Sequence, residues 1–188
     1  MAYRSGMPDA TNPYDLDGLR AVAHPLRLRL LSLLTAEALS ATEAARVLGE
    51  SQANVSYHLR RLAQAGLVQL VEEMNIRGGT AKRYRHDPAS GEALGSGRVD
   101  EHQALMSSLA AELMARSARY LSGSEFTFTE AEVTVSREAW ERIRDMSREI
   151  GKLIHDEAVP SATPEGIRMS ATLALFEVVN HDTTREHE

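Results

Sequence analysis

None of the 188 positions is a cysteine. That excludes a thiolate metal site and a disulfide switch, since both need the ionisable sulfur. No run of 18 or more apolar residues occurs, so no stretch reads as a membrane span. The opening "MAYRSGMPDATNPYDLDG" lacks the apolar centre of a secretory signal and reads as a flexible arm over 1–13. The expectation is a cytoplasmic protein with no membrane partner. Catalytic signatures are missing as well. There is no serine or cysteine elbow, no glycine loop for phosphates and no H-E-x-x-H. The acidic and imidazole groups of His155, Asp156 and Glu157 are adjacent in sequence, so a helix points them in different directions. Neither an enzyme nor a cofactor is expected. No internal repeat is visible.

What is present is unevenly distributed. The chain is 43% hydrophobic, enough for a core, and its formal charge is −6. Yet Ser51 to His86 holds six basic residues and two acidic ones, a local +4 that leaves −10 for the remainder. A basic surface on an acidic body suits a polyanionic partner, while the charge of the body opposes indiscriminate sticking.

The basic stretch opens on "SQANVSYHLRRLAQAGLV". Ser51 is suited to cap a helix and Gly66 to end one. Val55, Leu59 and Leu62 fall on one stripe, with Ala53, Tyr57, Arg60 and Gln64 centred opposite, flanked by Asn54, Ser56 and Arg61. By itself this is any amphipathic surface helix. Its neighbours give it a context. Upstream, Ser40 and Glu43 form a capping box, S-x-x-E, and Gly49 closes a helix over 41–48. Two helices joined by a three-residue turn containing glycine make a helix-turn-helix, whose second helix enters the DNA major groove. Downstream, Leu67, Val68, Leu70 and Val71 read as a mostly buried strand, Gly78-Gly79 as a turn and "KRYRH" as the return strand. Arg77, Lys82 and Arg83 make this hairpin basic, as a wing beside a recognition helix would be; an ordinary solvated hairpin is the alternative.

The segment from about Leu19 to His86, with "HPLRLRLL", "VSYHLRRLAQAGLV" and "RGGTAKRYR" as its most specific parts, resembles the winged helix-turn-helix of the ArsR family of bacterial transcription regulators. The resemblance implies a homodimer that represses from a pseudo-palindromic operator on double-stranded DNA. It implies base contacts from Gln52, Asn54, Ser56 and Tyr57 near the capping Ser51. Phosphate contacts would come from Arg60, Arg61, Arg77, Lys82 and Arg83. His58, at the edge of the apolar stripe, reads as a packed, hydrogen-bonded histidine. The chain departs from the metal-sensing members, which carry cysteines in the first helix of the motif. Asp100, His102, His181, Asp182 and His187 are the remaining ligand types, and their spacing does not make a metal site.

Around this unit the chain divides into a DNA-binding domain over 14–87, a Pro/Gly/Ser-rich linker over 88–99, a C-terminal region over 100–180 and a tail over 181–188. A helix is expected from Leu16 to Ala23, then one beginning at Pro25 whose leucines pack beneath the motif. Beyond the linker, Met106, Leu109, Leu113 and Tyr120 share a helical stripe; family members dimerise through helices flanking the wing domain, and packing onto the chain's own wing domain is the alternative. The last third reads as strand–helix–strand. "EFTFTEAEVTV" alternates, a helix over 137–157 carries Trp140, Ile143, Met146, Ile150 and Ile154, and "GIRMSATLALFEV" alternates again. A small apolar effector could enter between that helix and sheet, at Trp140, Met146 and Leu173; a stabilising satellite core is the plainer reading. The expected class is mainly α with small β: a winged helix-turn-helix followed by a helical and α+β C-terminal region. A winged helix used only for protein–protein contact is the alternative function.

Overall fold

The computed structural model describes residues 18–76, 79–87, 90 and 97–179. The arm over 1–13, residues 14–17, Arg77, Gly78, most of the linker and the tail over 181–188 lie outside the described residues. The fold is mostly helical with one small antiparallel sheet. In chain order the elements are α1 (Gly18–Val22), α2 (Pro25–Ala36), β1 (Leu39–Ser40), α3 (Ala41–Leu48), α4 (Gln52–Gln64), β2 (Val68–Ile76), β3 (Gly79–His86), α5 (Val99–Ser117) and α6 (Arg137–Asp156).

Local chemistry sets most boundaries. Pro25 opens α2, where its missing N–H costs nothing. The cap is an imidazole: His24 Nδ1 accepts from the Leu26 N–H at 3.1 Å. The capping box of α3 is complete, with the Ser40 hydroxyl accepting from the Glu43 N–H and the Glu43 carboxylate accepting from the Ser40 N–H at 2.8 Å. Gly49 ends α3 in the left-handed conformation, φ 69°, which lets the chain turn sharply into α4. The core lies where these helices meet. Leu26, Leu30 and Leu34 of α2, Val55, Leu59 and Leu62 of α4, and Leu67 exclude water almost completely. Each such side chain contributes about 1.5–3 kcal/mol on leaving water.

The sheet has the order β1-β3-β2. Its register, Leu70↔Tyr84 followed by Glu72↔Arg83, leaves Val71 as an extra residue in a bulge. The expected buried strand is therefore only half buried. Leu67 and Val68 join the core, but Leu70 and Val71, at the bulge, are exposed.

Helix α5 reverses expectation more sharply. On the face it lays on α1 and α2 the fully buried residues are polar, Glu101, Ser108 and Glu112, with Leu105 half-buried against the core among them. Glu101 meets Arg20 at 3.1 Å and Glu112 meets Arg29 at 3.8 Å, so the buried carboxylates are paired. The stripe of Leu113 and Tyr120 faces outward, with Met106 and Leu109 half-buried beside it.

The strand–helix–strand expectation holds for the helix alone. Residues 125–135 and 166–179 run without turn or bend but pair with no strand among the described residues. From residue 113 to residue 179 not one residue is buried.

Candidate functional site

Helix α4 is held by its apolar side and presents the other. Val55, His58, Leu59 and Leu62 are its buried residues, while Gln52, Ala53, Asn54, Tyr57, Arg60 and Arg61 are exposed and Ser56 is partly so. The face expected from the 3.6-residue period is the face that is free. Ser51 caps the helix by accepting from the Asn54 N–H, which leaves its own O–H available. The Asn54 amide donates to Glu50 at 3.2 Å, and Glu50 in turn accepts from Arg29 at 2.9 Å. Those two hydrogen bonds, the one from Arg29 foremost, hold the Glu50 carboxyl below its ordinary range. Through Arg29 the turn before α4 is thus tied to Glu112 of α5.

Beside the free face lies an open cleft of about 330 Å³. One wall is Gln52, Ser56 and Arg60 of α4; the others are Ser40, Ala41 and Thr42 at the start of α3, and Thr80 and Lys82 of the wing. The N-terminal turn of α3 adds its positive dipole end to the two cationic side chains. Ser40, Thr42 and Thr80 were not among the expected site residues. The capping box located the start of α3, but only the packed fold shows that this helix start and the wing border the same opening.

The wing cations do not behave alike. Lys82 lines the cleft and pairs with Glu73 across the hairpin at 3.1 Å. Arg83 was expected beside it on the outer surface. Instead it turns inward, donating to the Ala38 carbonyl at 2.7 Å and lying 3.5 Å from both Glu43 and Glu72. The bulge between Leu70 and Glu72 and the pairing of β1 with β3 set that direction. Arg83 is an anchor of the wing, while Arg60 and Arg61 remain exposed and make no ion pair among the described residues. Arg77 lies outside the described residues.

His58 is buried, as its place on the stripe implied, but it is not hydrogen-bonded through Nδ1. Its ring packs on that of His24, centroids 4.5 Å apart. Burial lowers the pKa of both histidines, with His24 and Arg27 adding to the effect at His58 and Arg27 and Arg29 adding to it at His24. The neutral His24 is the form that can accept at the α2 cap.

The other expected sites are not assembled. Trp140 is half-buried, and Met146 and Leu173 are exposed. The depression on α6, about 150 Å³, is lined by Ala139, Arg142, Ile143 and Met146 and is smaller than an ordinary ligand pocket. Asp100 is engaged by Arg98 and Arg20, and His102 packs against Phe176 at 4.7 Å. His181, Asp182 and His187 lie outside the described residues. Among the described residues, no helix is long and apolar enough to cross a membrane.

Residues 22–71, from the end of α1 into β2, match the helix-turn-helix domain family. The chain thus carries a helix-turn-helix domain, the element of DNA-binding transcription regulators. No curated protein matches it. Among solved structures, a possible transcriptional regulator for arsenical resistance is 30% identical, the match covering 55% of this chain and 95% of that one at a TM-score of 0.36. Rv0081 of M. tuberculosis is 25% identical over 58% and 96% of the two chains, with a TM-score of 0.36. A protein with a GntR superfamily winged-helix-turn-helix domain from Halomicrobium mukohataei is 19% identical over 73% and 97%, with a TM-score of 0.38.

Proposed function

We propose that this chain is a sequence-specific regulator of transcription that binds double-stranded DNA as a homodimer and represses. The observation that carries the reading is the free face of α4: a row of small, amide, phenol and guanidinium side chains bordering a cleft whose other walls are a helix start and the wing. Asn54, Gln52, Ser56 and Tyr57 read base edges, and Arg60, Arg61 and Lys82 meet phosphates. Ser51 serves as a cap and a phosphate donor. The unit over 14–87 is the DNA-binding domain.

The outward stripe of α5 supports the dimer. A helix that buries its carboxylates against its own chain and turns Leu113 to water, with Met106 and Leu109 half-buried in line with it, leaves apolar surface for a second copy. A twofold pair of recognition helices then reads half-sites about 34 Å apart, or a multiple of that spacing. Repression rests on the resemblance to ArsR regulators.

Fluorescence anisotropy with duplex DNA from upstream of the chain's own gene, at several salt concentrations, tests the reading. The expected result is binding whose logarithmic salt slope falls by about 1 for each of Arg60→Ala and Arg61→Ala. Binding and salt slope unchanged in both variants, or no binding at low salt, defeats it in favour of a protein-contact module.

A further inference from the structure

The unabsorbed part of the molecule is α6. Its apolar side chains form two rows. Trp140 and Ile154, with Ser147 and Gly151 between them, form a half-buried row. Ile143, Met146, Ile150 and Leu153 form a second row about 100° round the helix. They are 41, 57, 47 and 60% exposed. With Ala139, this second row follows the a/d spacing of a two-helix seam: Ile143 and Ile150 at a, Ala139, Met146 and Leu153 at d. The 150 Å³ depression lies on it.

We propose that this row is an interface with a second copy of the chain, in which α6 pairs with its twofold mate in antiparallel orientation. The proposal rests on the homodimer reading above only in using a second copy; it makes no use of DNA. Three observations select that occupant. First, the flanking charges are self-complementary. Arg142 and Glu149 border the row on one side, seven residues apart, and neither makes an ion pair or hydrogen bond within the chain among the described residues. Arg137, Asp145, Arg148, Lys152 and Asp156, by contrast, are paired already. Setting Ile143 against Met146 of the mate, and Ala139 against Ile150 of the mate, brings Arg142 opposite Glu149 twice. A parallel pair sets Arg142 near Ser147 and gives no such match. An antiparallel pair shifted by one heptad sets Glu149 against its own copy. Second, the depression beside Ala139 is where that register seats the mate's Ile150. Third, apolar surface is available on the row itself, where Ile143, Met146, Ile150 and Leu153 are each at least two-fifths exposed.

The cysteine-free sequence allows a direct test on the full chain. In the variant Ala139→Cys/Ile150→Cys the two sulfurs of one chain stand about 16 Å apart along the helix and cannot bridge within it. Mild oxidation at micromolar concentration is expected to give a covalent dimer, seen on a non-reducing gel. The outer-face control Glu141→Cys/Arg148→Cys is expected to stay monomeric on the gel. Charge reversal supplies the second arm. Arg142→Glu alone and Glu149→Arg alone each place like charges in contact, and an equimolar mixture of the two restores both pairs. Cross-linking through the two introduced thiols of the Ala139→Cys/Ile150→Cys variant, carried in each reversed background, should fall roughly tenfold for either chain alone and return in the mixture. No cross-link, equal cross-linking of the control, or dimers from Ile143→Cys/Leu153→Cys in place of the first pair overturns the proposed register. These outcomes are read without DNA, so failure of the duplex titration leaves them standing.

Discussion

Residues 18–112 and residues 113–179 use similar side chains to opposite ends. The first stretch packs leucines and valines from α1, α2, α4 and β2 into one core. The second carries Phe126, Phe128, Ile143, Ile150, Ile167 and Leu173 and buries none of them. Apolar content alone therefore does not make a core. In the first stretch short loops return each apolar stripe to another stripe of the same chain. In the second, α6 and the turn-free segments touch the first stretch through single rings, His155 on His86 and Phe176 on His102, and bury no apolar stripe among the described residues. The energy available from their burial, about 25 cal/mol per Å² of apolar surface, is realised only when something else arrives. One region closes a core of its own, and the other leaves its apolar side chains at the surface.

The sharpest way to break this contrast is to cut a cavity in each region. Leu59→Ala should cost about 2–5 kcal/mol of unfolding free energy at any protein concentration, read by urea denaturation. Ile150→Ala should leave the dilute chain's stability unchanged and weaken only the concentration dependence of the midpoint. Equal effects of the two would mean that the regions share one core.

Acid should separate the regions next. His86 contacts Thr35 and Ser90 and packs on His155, and burial, helped by the His155 charge, pushes its pKa down to about 4. A histidine kept neutral in the fold and free to protonate when unfolded stabilises the fold only above the unfolded value. Stability should therefore fall as pH drops from about 6.5 toward 4, by roughly 2–3 kcal/mol from this group. His86→Phe should flatten that part of the profile, measured by urea midpoints at successive pH values. A profile equally steep in the variant would assign the acid sensitivity to other groups.

Within the winged unit the contrast is between Arg60 and Arg83. Arg83→Ala removes an inward hydrogen bond and two ion pairs, so it should lower stability by about 1–2 kcal/mol and leave the salt slope of DNA binding unaltered. Arg60→Ala should do the reverse. A salt slope that falls with Arg83→Ala would return that residue to the phosphate surface. The smallest expected effect is at the α3 cap, where Ser40→Ala should cost about 1 kcal/mol in the same denaturation assay.

The sequence disclosed what local chemistry controls. Ser40, Glu43, Gly49, Ser51 and Gly66 marked the helix ends correctly, and the period of Val55, Leu59 and Leu62 identified the buried face of α4. Features that depend on where distant elements land were hidden. The direction of Arg83 follows from a bulge at Val71 and from the two-residue β1, neither of which has a periodic signal. The polar inner face of α5 was concealed because Glu101 and Glu112 are buried only by virtue of Arg20 and Arg29, which lie far away in sequence. The alternation over 126–135 and 167–175 signals a ladder, and a ladder needs a partner that the chain's own described residues do not supply.

The shared role of Glu43 constrains how such a chain can drift. One carboxylate accepts from the Ser40 N–H to start α3 and lies against Arg83 to hold the wing. A reciprocal exchange, Glu43→Arg with Arg83→Glu, would restore the ion pair but could not restore the cap, because a guanidinium has no acceptor. The acid at 43 and the base at 83 are therefore not interchangeable by compensating mutation. Related sequences that fold this way should keep the polarity of the pair fixed even where the surface around it has changed beyond recognition.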